Sequence, residues 1–267
     1  MPNYQAITRE NHTDKRWQRY TTYDHALTDS IVPLTTTELP KAVMTLPVGF
    51  IEQDGAFVLA AVLGLQPGKN LFVGPQGRWV GNYIPAAFRS YPFRLASTSE
   101  GQQVLCIDED SGLVSEDPTG ERFFNEGGEP AQATLDILNF LNQLEQNRVA
   151  TAAACAVLHQ HQLIRPWPVT LKTETGEQAV TGLFQVDEAA LNQLPADALL
   201  AVRQAGGLLL AYCQLLSMQH LPLLGELAAA HAKAAEQALA AQKGAPGGNP
   251  DLAFLNQGGT INFGGLW

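Results

Sequence analysis

Three arginines and five aromatic rings share the stretch Gly77–Leu95, GRWVGNYIPAAFRSYPFRL. Fixed cations packed among rings are costly to bury without partners, so this density fits a recognition surface or a buried Arg anchor. The residue before a proline is pushed toward extended backbone, which holds Tyr83-Ile84-Pro85 and Tyr91-Pro92-Phe93 straight. Between them Ala86–Ser90 has room for one helical turn, leaving Arg89 between stiff flanks. An Arg held in that way beside aromatic faces suits a carboxylate or a peptide ligand. The candidate binding residues are therefore Trp79, Tyr83, Arg89, Tyr91 and Phe93. The plainer alternative makes the rings core and pairs Arg89 with a buried carboxylate.

Other residues with chemical capacity have simpler readings. His159 and His161 lie two apart, so on a helix they point to opposite sides and cannot share a metal. Asp108-x-Asp110-x-Gly112 starts like a calcium loop, but Leu113 and Thr119 stand where that loop needs glycine and glutamate. A solvated acidic loop is the default there, and a looser site from Asp108, Asp110 and Asp117 is the alternative. Cys106, Cys155 and Cys213 each sit in an apolar neighbourhood, as buried small hydrophobes do, and no His neighbours them in sequence. No GxSxG, GxGxxG or phosphate-loop motif occurs. The expectation is a protein with no metal and no cofactor, and nothing in the chain spells out a reaction.

Composition narrows the partners. The 267 residues carry 26 acidic and 16 basic side chains, a formal net charge of −10. An acidic chain is a poor binder of nucleic acid and of anionic membranes. No uninterrupted apolar run reaches bilayer length, so no membrane insertion is expected. The opening residues have no apolar core or small-residue cleavage site. Together with the odd, scattered cysteines, this leads to a cytoplasmic expectation.

These residues need elements to hold them. Asp54-Gly55 marks a hairpin inside LPVGFIEQDGAFVLAAVLGL, and Gly101 turns a second one after Tyr91-Pro92-Phe93. The two hairpins echo each other weakly, which a single meander explains as well as a duplication. LFV and RWV around Gly74–Gly77 suggest a further hairpin. After the acidic loop the period changes to helical: Leu135, Leu138, Leu141 and Leu144 form one stripe ending near Asn147. A second helix is expected over Ala150–Ile164, stopped by Pro166 and Pro168. VTLKTETGEQAVTGLFQV forms another hairpin, Asp187 caps a short helix, and two long helices close the fold. Their approximate spans are Ala196–Met218, interrupted at Gly206-Gly207, and Pro222–Gln242. Strands first and helices later argue for an α+β fold, an antiparallel meander packed against a mainly helical second half.

The chain resembles the bacterial SapC family, named after a component of a surface-layer system. The matching pieces are Ala61–Leu65, Gly68-x-Asn70-Leu-Phe-Val73, Gly77-x-Trp79-x-x-x-Tyr83-Ile-Pro85-Ala86, Arg89-x-Tyr91-Pro-Phe93 and Leu105–Asp108. The resemblance covers about Pro33 to Leu227. The family pattern has two adjacent arginines before Tyr-Pro-Phe, and here the second position is Ser90. It carries no assigned catalytic residues and implies association with a cell-surface or envelope system. The resulting expectation is a non-catalytic accessory protein that engages a peptide or protein segment, organised as an arm (1–30), one domain (31–243) and a linker with a tail (244–267). Phe254, Ile261, Phe263 and Trp267 in that tail would dock on the body or on a second copy, which leaves a homodimer open. The alternative is an enzyme whose histidines and acidic loop converge in a pocket.

Overall fold

The computed structural model describes residues 2–98, 101–173 and 176–244. The expected linker and docking tail beyond Gly244 lie outside the described residues. The chain divides into two compact units, Met1–Ala228 and Ala229–Trp267. In the second unit the described residues are helical.

The strands are β1 (Tyr4–Ala6), β2 (Arg16–Trp17), β3 (Ile31–Pro33), β4 (Val48–Gln53), β5 (Ala56–Val62), β6 (Phe93–Ser97) and β7 (Gln103–Asp108). They continue with β8 (Val114–Ser115), β9 (Glu121–Arg122), β10 (Ile164–Pro166), β11 (Val169–Thr173), β12 (Gly176–Val180) and β13 (Phe184–Val186). The helices are α1 (Arg9–His12), α2 (Leu39–Ala42), α3 (Ala86–Arg89), α4 (Gln132–Gln160), α5 (Glu188–Asn192), α6 (Ala196–Gln204), α7 (Gly207–Ser217) and α8 (Leu221–Gly244). The protein is thus α+β, with antiparallel sheets in the first half and helices in the second.

The largest sheet has the order β10-β13-β4-β5-β3, with every pairing antiparallel. Asp54 and Gly55 both take positive φ, 51° and 77°, as a tight hairpin turn requires. The second hairpin, β6–β7, joins β1 in a separate sheet. The two hairpins therefore do not share one meander. Around Gly74–Gly77 there is a short 3-10 turn and one bridge, Val73 to Trp79, rather than a third pair of strands. β13 leaves the β11–β12 hairpin and pairs with β4 instead, because Phe184 and Val186 bury against the main core.

Among the described residues two apolar cores result. The larger holds Phe50, Leu59, Leu63, Phe72, Leu158 and Leu210; the smaller holds Trp17, Phe93, Ile107, Phe123 and Leu141. α4 serves both: Leu141 belongs to the smaller core, while Ala154, Cys155 and Leu158 belong to the larger. It is one helix of 29 residues, not two. Its middle is polar but contains no Gly or Pro, and Glu145–Arg148 and Gln143–Asn147 pair along its surface. Polarity at Asn147 marks a solvent-facing patch, and helix propensity carries the backbone through it.

The expected long helix from Ala196 breaks at Gly206, which is left-handed at φ 79°. Gly207 lies so close to α6 that a Cβ there would stand 2.9 Å from Val202 Cγ1. α7 is stitched to the main sheet through polar side chains. Gln214 accepts from Val186 N–H at 2.9 Å and donates to Val48 C=O at 3.1 Å, and Ser217 accepts from Val48 N–H at 3.0 Å. Among the described residues, one helical run, Gly207–Ala240, is long and apolar enough to cross a membrane by length and composition. The linear sequence hides it because Gln214, Ser217, Gln219 and His220 interrupt the apolar pattern.

Candidate functional site

The aromatic–Arg stretch separates into three environments. Trp79 and Tyr91 are held by the N-terminal arm. Tyr91 stacks on His25 with centroids 4.0 Å apart, Tyr20 meets both edge-on, and Tyr23 packs on Tyr20 and, tilted, on His25. Trp79 packs on Tyr23, Phe72 and Phe88, and its indole N–H donates to Tyr83 C=O at 2.9 Å. The arm is seated by the Gly74–Gly77 turn, where Gly77 C=O accepts from Tyr23 N–H at 2.7 Å. Phe93 belongs to the smaller core, edge-to-face with Trp17 at 4.8 Å. None of these three belongs to the lining of the recess formed nearby.

Tyr83 and Arg89 do. With Thr35, Thr37, Glu38, Lys41, Ala86, Phe140, Gln143, Leu144 and Asn147 they line a surface recess of about 170 Å³. It lies where the middle of α4 passes the 3-10 turn Thr36–Glu38 and the single turn of α3. Thr151 Oγ1 accepts from Thr36 N–H at 2.9 Å and fixes that turn to the helix.

Glu38 forms the inner wall and is buried. One carboxylate oxygen, Oε2, accepts from Thr35 N–H and Thr35 Oγ1, both at 2.9 Å. The other, Oε1, accepts from Tyr83 OH at 2.9 Å and Ala86 N–H at 2.7 Å. Four donors satisfy a buried carboxylate, so Glu38 joins the Thr36–Glu38 turn to the start of α3. Burial raises the Tyr83 hydroxyl well above the ordinary tyrosine range, the Glu38 charge and hydrogen bond add to this, and Arg89 opposes it. The phenol therefore stays protonated and donating.

Among the described residues Arg89 has no buried carboxylate partner. Its side chain is exposed, with the guanidinium 5.3 Å from the Phe140 centroid and 5.9 Å from the Tyr83 centroid. Lys41, on α2, is exposed at the same recess. Among the described residues neither takes part in an ion pair. Ser90, where the family pattern carries a second arginine, is buried, donates to Ala87 C=O at 3.2 Å and is not part of the lining. The second cation of the recess is Lys41, from a different element.

The family model for SapC matches residues 7–224. The chain belongs to the SapC family. No curated protein and no solved structure matches it. The SapC match takes in every residue of the recess and also Trp17, Tyr20, Tyr23 and His25 of the arm, which lie outside the resemblance seen from motifs alone.

The histidines and the acidic loop lie elsewhere in this SapC chain. His159 meets Phe57 edge-on at 4.9 Å, and His161 follows the end of α4. Asp108 is buried and accepts from Asn3 N–H at 2.8 Å and Asp110 N–H at 3.2 Å. Asp117 accepts from Thr119 through backbone and hydroxyl. Among the described residues no three His, Cys, Asp or Glu side chains are grouped to hold a metal ion. The three cysteines are free and buried, and burial raises all three thiols, Cys155 to about 11. Such thiols stay protonated and poorly nucleophilic.

Proposed function

We propose that this SapC-family chain is a non-catalytic accessory protein of a bacterial cell-surface or envelope-linked system. In this reading it engages a peptide or protein segment at the recess around Tyr83 and Arg89. The observation that carries it is the contrast between the recess's anion and its cations. Glu38 is buried with its acceptor positions occupied by the chain's own donors, whereas Arg89 and Lys41 stand exposed with no ion-pair partner among the described residues. A carboxylate so occupied is a poor general base. A guanidinium placed over two rings is a ready donor to an incoming group.

Size supports a segment over a whole small molecule. At about 170 Å³ the recess is smaller than the roughly 300–1,000 Å³ of pockets that enclose drug-sized ligands. One side chain or chain end can enter, with Phe140 and Leu144 giving apolar contact beside it. Trp79 bonds to Tyr83 C=O, Tyr91 stacks on the arm and Phe93 packs in the smaller core, so in this reading the three have a structural role rather than a ligand contact.

The test is a peptide array probed with the full chain and with Gln143→Trp. Gln143 is exposed on the α4 side of the recess, so a bulky ring there fills the opening without entering the core. Binding to the array should be lost in the variant while melting is unchanged. An identical pattern of bound peptides for both proteins would remove the recess from the function.

A further inference from the structure

We infer that the group entering the recess is a single carboxylate. This rests on the peptide-binding reading above and narrows it. Glu38 contributes one negative charge and Lys41 and Arg89 one positive charge each, so the lining carries a formal charge of +1 on a protein of −10. Glu38 does not form an ion pair with either cation among the described residues, because its oxygens face Thr35, Tyr83 and Ala86. The uncompensated charge thus sits on the open side.

Geometry selects the kind of anion. The Arg89 guanidinium lies near both the Tyr83 and Phe140 rings, which steady it and leave N–H groups for a two-oxygen acceptor. Thr37 and the Asn147 amide lie in the same lining and offer further hydrogen bonds. One carboxylate neutralises the lining. A phosphate, with up to two charges, would place excess negative charge beside the buried Glu38. The carboxylate comes from an acidic side chain or from a chain terminus; both present the same fork.

The experiment follows backbone amide NMR signals of Ala86, Gln143 and Asn147 in the full chain as four probes are added. Three are N-acetylated alanine-based pentapeptides: a central glutamate with amidated end, a central glutamine with amidated end, and a central glutamine with free C-terminal carboxylate. The fourth is inorganic phosphate. A carboxylate peptide should shift these signals saturably, and the neutral peptide should bind at least about tenfold more weakly. Arg89→Ala should remove that preference. The internal and terminal carboxylates, compared with each other, identify the source. Equal binding of the neutral and acidic peptides at these signals overturns the carboxylate inference and leaves peptide binding standing. Tighter binding of phosphate than of either carboxylate peptide also overturns it. If no probe moves the signals, the inference falls, and the array with Gln143→Trp decides separately whether the recess binds peptides.

Discussion

Tyr83 donates its hydroxyl to Glu38 Oε1 across 2.9 Å, joining the turn before α2 to the segment before α3. Because Ala86 N–H and Thr35 complete the carboxylate's bonding, Glu38 is a fastening point and the exposed charges of the recess are the cations Lys41 and Arg89.

Removing that fastening should be costly. Glu38→Ala strands the Tyr83 hydroxyl, the Ala86 N–H and both Thr35 donors, and each buried donor left unpaired costs about 1–3 kcal/mol. Some will find water, so a loss of roughly 3 kcal/mol is expected in urea unfolding. Tyr83→Phe removes one bond and should cost about 1 kcal/mol. A Glu38→Ala protein as stable as the parent would show that the carboxylate is held for another purpose.

The seat of the N-terminal arm is tested by glycine substitution. Gly77 has φ 68°, and a Cβ there would lie 2.6 Å from both Thr22 Cβ and Asp24 Oδ1. Gly55 has φ 77° with nothing within 4 Å. Gly55→Ala should lose only the left-handed backbone penalty, about 1–2 kcal/mol. Gly77→Ala should lose more and should increase the exposure of Tyr20 and Tyr23 by fluorescence quenching. Equal losses would mean that the arm yields freely at the turn.

Acidification should destabilise the protein near neutral pH. His12 is fully buried, and burial holds its pKa below the ordinary value despite Glu109 Oε1 at 2.9 Å from Nε2. Burial lowers His25 in the same direction. Both rings are neutral when folded at neutral pH, while the unfolded chain gains protons near pH 6.5. Their contribution is complete above about pH 6.5 and is lost as pH falls below it toward the depressed folded values. Urea midpoints measured from about pH 8 to pH 5.5 should be flat and then fall. A rise on acidification would mean that the His12–Glu109 pair gains more from charging than burial takes away.

The fold class was legible because its signals are local. Asp54-Gly55 turns a hairpin, Asp187 caps α5 by accepting from Ala190 N–H, and Gly206 ends α6. Tertiary choices were not: nothing near Phe184 in sequence says that β13 pairs with β4, and the polar middle of α4 imitates a helix end. At the recess, Tyr83 and Arg89 stood out by residue type. Glu38 left a readable trace in Thr35-x-x-Glu38, a helix-start capping pattern, but its bonds to Tyr83 and Ala86 cross 45 and 48 residues. Phe140, Gln143, Leu144 and Asn147 share one helical face, and only the leucines of that helix stand out by hydrophobic spacing.

Comparison of Arg89→Ala with Arg78→Ala bears most directly on the recess as a binding site. Both arginines are exposed, and the ring contacts of Arg89 are worth only about 0.5–1 kcal/mol each at such a site, so both variants should fold and melt close to the parent. Peptides selected from a displayed library on the parent protein should lose at least about tenfold in affinity for Arg89→Ala and keep it for Arg78→Ala. Equal affinities for the two variants would contradict peptide binding through Arg89.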